Sequence, residues 1–316
     1  MTVASVLELE QLTRRYGQRL VVDAVSLQVA PGEVFGFLGP NGAGKTTTIA
    51  MLLHLVRPTA GRALICGYDV WQQPRQALAH VGALIETPAL YPYLSGRDNL
   101  RVLARRDGLP DQRVDAVLEA VGLQPHARVK VKRYSQGMRQ RLALAAALLP
   151  EPDLLVLDEP ANALDPAGMV ELRQTLRSLA AQGRTVFLSS HLLHEVEQLC
   201  DRVAVLNQGR IVAHGRVADL LGAPGLILRV ARSEAPVQAL LRNGLGISAR
   251  PQPDGSWWLP ATPEQAGSIS TFLAQCGVAV AELRPQTRSL EAVFLALTDA
   301  AARPTPPSLQ PLEAHG

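Results

Sequence analysis

The run Gly39-Pro40-Asn41-Gly42-Ala43-Gly44-Lys45-Thr46 follows the apolar segment Val34 to Leu38 and opens a helical pattern from Thr46 to Leu55. That order constrains the fold more than any other feature of the 316 residues. Glycines let backbone N–H groups converge on anionic oxygens, and the helix behind them presents its positive end. Lys45 supplies a charged donor to the outer phosphates, and Thr46 offers a hydroxyl to Mg²⁺. Gly39, Asn41, Gly42, Gly44, Lys45, Thr46 and Thr47 are thus the candidate phosphate-binding residues. A loop of this kind implies an α/β domain that binds a nucleoside triphosphate.

The flanking pattern agrees. Leu7 to Leu12 and Val21 to Val29 read as strands before the loop. From about Pro88 to Leu149 the pattern turns helical, with Asp98 to Arg106 and Asp111 to Val121 separated by Gly108-Leu109-Pro110. Leu154 to Leu157 reads as a buried strand, Val170 to Gln182 as a helix and Thr185 to Ser189 as a further strand. Strands alternating with helices imply a mostly parallel sheet covered on both faces. After about Leu221 the order becomes strand, helix, strand, strand, helix, strand, with Asp254-Gly255 as a hairpin turn. The expected division is therefore residues 1–221, with a helical subdomain at about 88–150, then a ferredoxin-like α+β accessory domain at 222–300. The prolines at 304, 306, 307 and 311 make residues 301–316 an expected disordered tail.

Composition narrows the classes. Apolar residues make up 47% of the chain, but in short segments. The longest near a helix, Leu142 to Pro150, falls far below the ~20 residues that span a bilayer. No basic-then-apolar leader opens the chain, so a cytoplasmic polypeptide is expected, with any membrane role supplied by a partner. A net charge of +3 gives little support to nucleic-acid binding, and the basic stretch Arg128 to Arg141 reads as a local surface feature. Cys66, Cys200 and Cys276 are odd in number and lack metal-ligand spacing, which predicts reduced and mostly buried thiols.

Further motifs follow the loop in order. Tyr134-Ser135-Gln136-Gly137-Met138-Arg139-Gln140-Arg141 precedes the apolar strand ending in Asp158-Glu159, and then come Ala163-Leu164-Asp165 and Ser189-Ser190-His191. From Val6 to His214 the chain resembles the ATP-binding cassette (ABC) ATPases, a P-loop fold with antiparallel β and helical subdomains around its sheet. The resemblance implies that Asp158 holds Mg²⁺ through water and that Glu159 polarises the attacking water. It makes His191 the switch residue at the γ-phosphate and Tyr16 the aromatic that stacks on adenine. Ser135 and Gly137 would address ATP bound by a second subunit, and Asp165 would link the two sites across the dimer. ATP binding would then close a homodimer or heterodimer and drive a separate transmembrane permease at the inner face of the membrane.

Departures from the family pattern are informative. Where glutamine is usual, this chain has Glu86, which keeps an oxygen ligand for Mg²⁺ but adds charge. We expect Glu86 to couple metal binding to movement of the permease. Gln136 and Met138 replace the usual glycine and glutamine, while Ala161 and Ala163 replace threonine and glycine near the acidic pair. Alanine at 163 restricts the backbone more than glycine does. Glu86, the 134–138 run and the stretch from Pro88 to Leu100 look like the bacitracin-resistance and lantibiotic-immunity branch, which implies export of a drug or antimicrobial peptide.

Two other classes compete. Soluble ABC ATPases of DNA repair carry a long coiled coil between phosphate loop and signature, and the interval from Lys45 to Ser135 leaves no room for one. Translation relatives carry two cassettes, whereas this chain has one phosphate loop. The third reading is a sensor in which Trp257 and Trp258 line a ligand pocket. A tryptophan pair on one strand more readily divides between core and sheet surface. No Asn-Lys-x-Asp sequence is present to read guanine.

Overall fold

The computed structural model describes residues 5–85, 89–162, 164–222, 225–232, 236–252, 254–286 and 289–294. Contacts divide the chain into two compact units, one running to Val217 and the other spanning Ala218–Val293.

The first unit opens with β1 (Leu7–Tyr16), β2 (Arg19–Val29), β3 (Val34–Leu38), α1 (Lys45–Leu52), β4 (Ala60–Ile65) and β5 (Tyr68–Asp69). Next come α2 (Pro74–Ala79), β6 (Val81–Leu84), α3 (Gly96–Arg106), α4 (Asp111–Ala120), α5 (Gln136–Leu148) and β7 (Leu154–Leu157). It continues through α6 (Pro166–Ala181), β8 (Thr185–Ser190), α7 (Leu193–Leu199), β9 (Arg202–Asn207) and β10 (Arg210–Arg216), and α8 (Val217–Leu221) follows. Six strands form the central sheet in the order β10-β9-β3-β8-β7-β6. All its neighbours are parallel except the β9–β10 pair. A second, antiparallel sheet runs β2-β1-β4-β5. The fold is thus an α/β cassette with an antiparallel β layer and a helical segment from α3 to α5.

Burial explains the central strands. Every residue of β3, β7 and β8 is buried, as expected of strands covered on both faces. Phe187 stacks on Phe35 at a centroid separation of 5.9 Å and meets Phe37 tilted by 35° at 5.4 Å, joining adjacent strands. Each such apolar side chain stabilises the fold by about 1.5–3 kcal/mol. Their carboxyl ends, where an open α/β sheet binds ligands, therefore sit on a rigid base.

Several elements differ from expectation. β1 runs to Tyr16 because Arg14, Arg15 and Tyr16 pair with Val22, Leu20 and Arg19 although their side chains are exposed or half-buried. α6 begins at Pro166, since Asp165 caps it and proline is tolerated in a first turn. β4, β5, α2 and β6 lie in a stretch where short, turn-bounded segments left no readable period.

The second unit contains β11 (Gly225–Arg232), α9 (Val237–Leu245), β12 (Arg250–Pro251), β13 (Trp257–Leu259), α10 (Ala266–Gln275) and β14 (Ala279–Gln286). Its sheet order is β12-β13-β11-β14, all antiparallel. The strand expected over Ile247 to Arg250 shrinks to the pair Arg250–Pro251. Trp257 packs against the core of this unit, while the Arg250 guanidinium covers Trp258 at 5.1 Å. The end of the helix expected at Ser289 to Thr298 and the tail from Arg303 lie outside the described residues.

Candidate functional site

Three adjacent strands bring the predicted residues together. β3 delivers the glycine loop, β7 ends at Leu157 just before Asp158 and Glu159, and β8 ends at Ser190 just before His191. Around these ends lies a cavity of about 590 Å³ lined by Tyr16, Arg19, Val21, Pro40, Asn41, Gly42, Gly44, Lys45, Thr46, Thr47, Glu159, Asn162 and His191.

The loop geometry depends on glycine. Gly44 sits at φ 110° before α1, and a Cβ there would meet the Val21 carbonyl at 2.7 Å. The Lys45 side chain is buried along the loop, and its Nζ donates to the Gly39 carbonyl at 2.7 Å. The same ammonium lies 3.3 Å from Glu159 Oε1.

Asp158 and Glu159 are held by one hydroxyl. Ser189 Oγ donates to Asp158 Oδ1 at 2.5 Å and accepts the Glu159 backbone N–H at 2.9 Å. Asp158 is buried, so that hydrogen bond matters to its orientation. Glu159 adopts φ 49°, a conformation that costs a non-glycine residue about 1–3 kcal/mol and clusters at functional sites. Its Oε2 accepts from His191 Nδ1 at 2.8 Å and from the His191 backbone N–H at 3.3 Å. A carboxylate only accepts, so Nδ1 is the protonated nitrogen of this pair. Glu159 therefore joins phosphate-loop lysine and histidine at one edge of the cavity. Tyr16, 44% exposed, stands at its rim with the Arg14 guanidinium 4.3 Å from the ring centroid.

Ser135, Gly137 and Asp165 are gathered elsewhere. Ser135 caps α5 by accepting from Met138 N–H at 3.2 Å, and Asp165 caps α6 by accepting from Gly168 N–H at 2.9 Å. Leu164 lies between the two caps, 3.7 Å from where a Cβ of Gly137 would be. None of the three lines that cavity. Gln140 of α5 donates to the Pro160 carbonyl at 2.9 Å and so ties this cluster to the loop after Glu159. His194 is exposed on α7 and meets Gln198 at 2.7 Å. Glu86 and Ala163 lie outside the described residues.

Sequence reasoning missed Ser189, Arg19 and Asn162. Only the nearness of Ser189 to His191 in the chain hinted at the first.

Residues 22–162 match the family model described as ABC transporter. The chain is 36% identical over 297 residues to the bacitracin transport ATP-binding protein BcrA of Enterococcus faecalis, covering 93% of this chain and 96% of that protein. It is 44% identical over 227 residues to the Nod factor export ATP-binding protein I of Burkholderia pseudomallei (strain 1710b), covering 71% and 74%. A solved ATP binding subunit of an ABC transporter superposes with a TM-score of 0.61 at 32% identity, covering 68% of this chain and 92% of that one. The chain belongs to the ATP-binding proteins of ABC transporters. It binds ATP and is an ATPase whose hydrolysis powers transport. Among the described residues no helix is long and apolar enough to cross a membrane.

Proposed function

We propose that this cassette works in pairs, as a homodimer or with a related subunit, closing around ATP to drive a separately encoded permease that exports a drug or antimicrobial peptide. The cargo class rests on the likeness to the bacitracin transport and Nod factor export proteins. In this reading the protein lies on the cytoplasmic face of the membrane, held there by the permease, and binds no nucleic acid.

Glu159 carries the reading. Its carboxylate is held by His191 and Lys45 at the cavity edge, where a general base can polarise the attacking water. Gly39, Asn41, Gly42, Gly44, Lys45 and Thr47 hold the phosphates, and Tyr16 stacks on the base. His191 orients Glu159 and reaches the terminal phosphate. Ser135 and Gly137 address ATP bound by the partner, with Asp165 linking the two sites. Their position away from the cavity of their own chain supports that assignment.

Thr46 offers a hydroxyl on the cavity wall, and Asp158, the residue before Glu159, offers a buried carboxylate. Both are hard oxygen donors, the type Mg²⁺ takes, and Glu86 would add a third. Bound Mg²⁺ would neutralise charge on the phosphates. The second unit, with its βαββαβ order, serves as the ferredoxin-like accessory domain expected over 222–300, and the tail expected at 301–316 lies outside the described residues.

The test compares Mg²⁺-dependent ATP hydrolysis and oligomeric state for the wild type and Glu159→Gln. Hydrolysis is expected to fall about 10²–10⁴-fold, the usual worth of a general base, while ATP holds the variant as a dimer. A variant that keeps wild-type turnover overturns the role of Glu159.

A further inference from the structure

Away from the residues that line the nucleotide cavity, three side chains of unlike chemistry converge. Cys66 occupies the turn between β4 and β5, His80 the junction of α2 and β6, and Asp153 the approach to β7. One potential ligand atom from each lies within 4.8 Å of those of the other two. We propose that Cys66, His80 and Asp153 form a binding site for a borderline divalent cation of the zinc type.

The backbone already fixes all three. Cys66 adopts φ 49° with Gly67 at φ 82°, a pair of left-handed residues that makes a tight hairpin turn, and Cys66 N–H donates to Val6 at 2.9 Å. The His80 carbonyl accepts from both Asp153 N–H and Leu154 N–H at 3.0 Å, so histidine and aspartate are locked beside each other. The imidazole is further oriented by Tyr68, stacked at 5.8 Å and 11°. His80 Nδ1 and Asp153 Oδ2 are 2.6 Å apart, a contact that coordination would open. Cys66 and His80 are half-buried and Asp153 is exposed, which gives the cation a route from solvent.

The donor set selects the ligand. One sulfur, one imidazole nitrogen and one carboxylate oxygen are the three ligand types that zinc accepts, with a fourth position left for water. A hard cation such as Mg²⁺ would not choose the thiol. A nucleophilic cysteine needs a depressed pKa, whereas burial first and the Asp153 charge second push this thiol up. The cation must instead displace the thiol proton to solvent. Once bound, it would clip the antiparallel sheet at the β4–β5 turn to the starts of β6 and β7.

Cobalt(II) is the probe, because thiolate coordination produces a charge-transfer absorption that oxygen sites cannot. The full-length chain, freed of metal and without ATP or Mg²⁺, should develop that band with one equivalent of Co²⁺, and Zn²⁺ should abolish it. Cys66→Ser should lose the band, whereas Cys276→Ser keeps it. Asp153→Asn, altered at an exposed position, should keep the band but weaken binding about tenfold or more, given that even outer-shell partners contribute 10–100-fold. Retained ATP hydrolysis in the Cys66 and Asp153 variants shows that they fold. No thiolate band in the wild type, a band that survives Cys66→Ser, or unchanged affinity in Asp153→Asn overturns the proposal.

Discussion

Ser189 shows how much one hydroxyl can organise. It donates to the buried Asp158 carboxylate and receives the backbone N–H of Glu159, a residue already in a left-handed conformation. Ser189→Ala leaves both without that partner, and an unsatisfied buried polar group costs about 1–3 kcal/mol. The expected result is a stability loss in that range by denaturant unfolding and a fall in kcat larger than the change in KM for ATP. A variant whose kcat equals that of the wild type would mean that the two carboxylates hold their places without Ser189. Glu159 and Asp158 themselves are readable from an acidic pair after an apolar strand. Ser189 is not, because its role exists only once β7 and β8 are neighbours.

At the scale of elements, α5 is the piece that joins chemistry to packing. Its first turn displays Ser135 and Gly137, its Gln140 grips the Pro160 carbonyl, and its buried side chains run from Leu142 to Leu148. Further along, the helix lies so close to β6 that a Cβ on Gly82 would sit 2.2 Å from the Ala147 carbonyl. Backbone cannot yield cheaply there, so Gly82→Ala is expected to lower stability by about 1–3 kcal/mol, the usual cost of overpacking. Thermal unfolding measures this, and an unchanged midpoint would show that α5 can move away from β6 without loss. Neither the strand nor its close approach was legible in the sequence. Val81–Leu84 is too short to show a period, and the need for glycine comes from a helix more than fifty positions later.

For the whole molecule, two separate cores set the expectation. One cluster gathers side chains from β1 to β9 around Phe35, Phe37 and Phe187, and the other gathers Leu226, Leu241, Leu259, Ile269 and Leu273. Units with their own cores unfold in their own transitions. Calorimetry of the full chain should therefore resolve two transitions, and a chain ending at Leu221 should keep ATP hydrolysis of the same order of magnitude. A truncated chain that neither folds nor hydrolyses ATP would make the second unit part of the working cassette.

Local sequence was enough for the nucleotide loop, the acidic pair and the α/β character of the chain. Each is a short run whose chemistry and geometry are settled by neighbours within a few residues. The order of elements after Leu221 was legible for the same reason, since turn residues separate periodic segments. Tertiary structure alone decided which strands adjoin, and with that the hydroxyl of Ser189 between the Asp158 carboxylate and the Glu159 backbone N–H, and the bond from His191 to Glu159. It also decided that Cys66, which has no metal-like spacing along the chain, would face His80 and Asp153. Spacing reports ligands that share a loop or helix. It is blind to those brought together by a hairpin turn and two parallel strands, because their distance is set by sheet pairing and not by the chain between them.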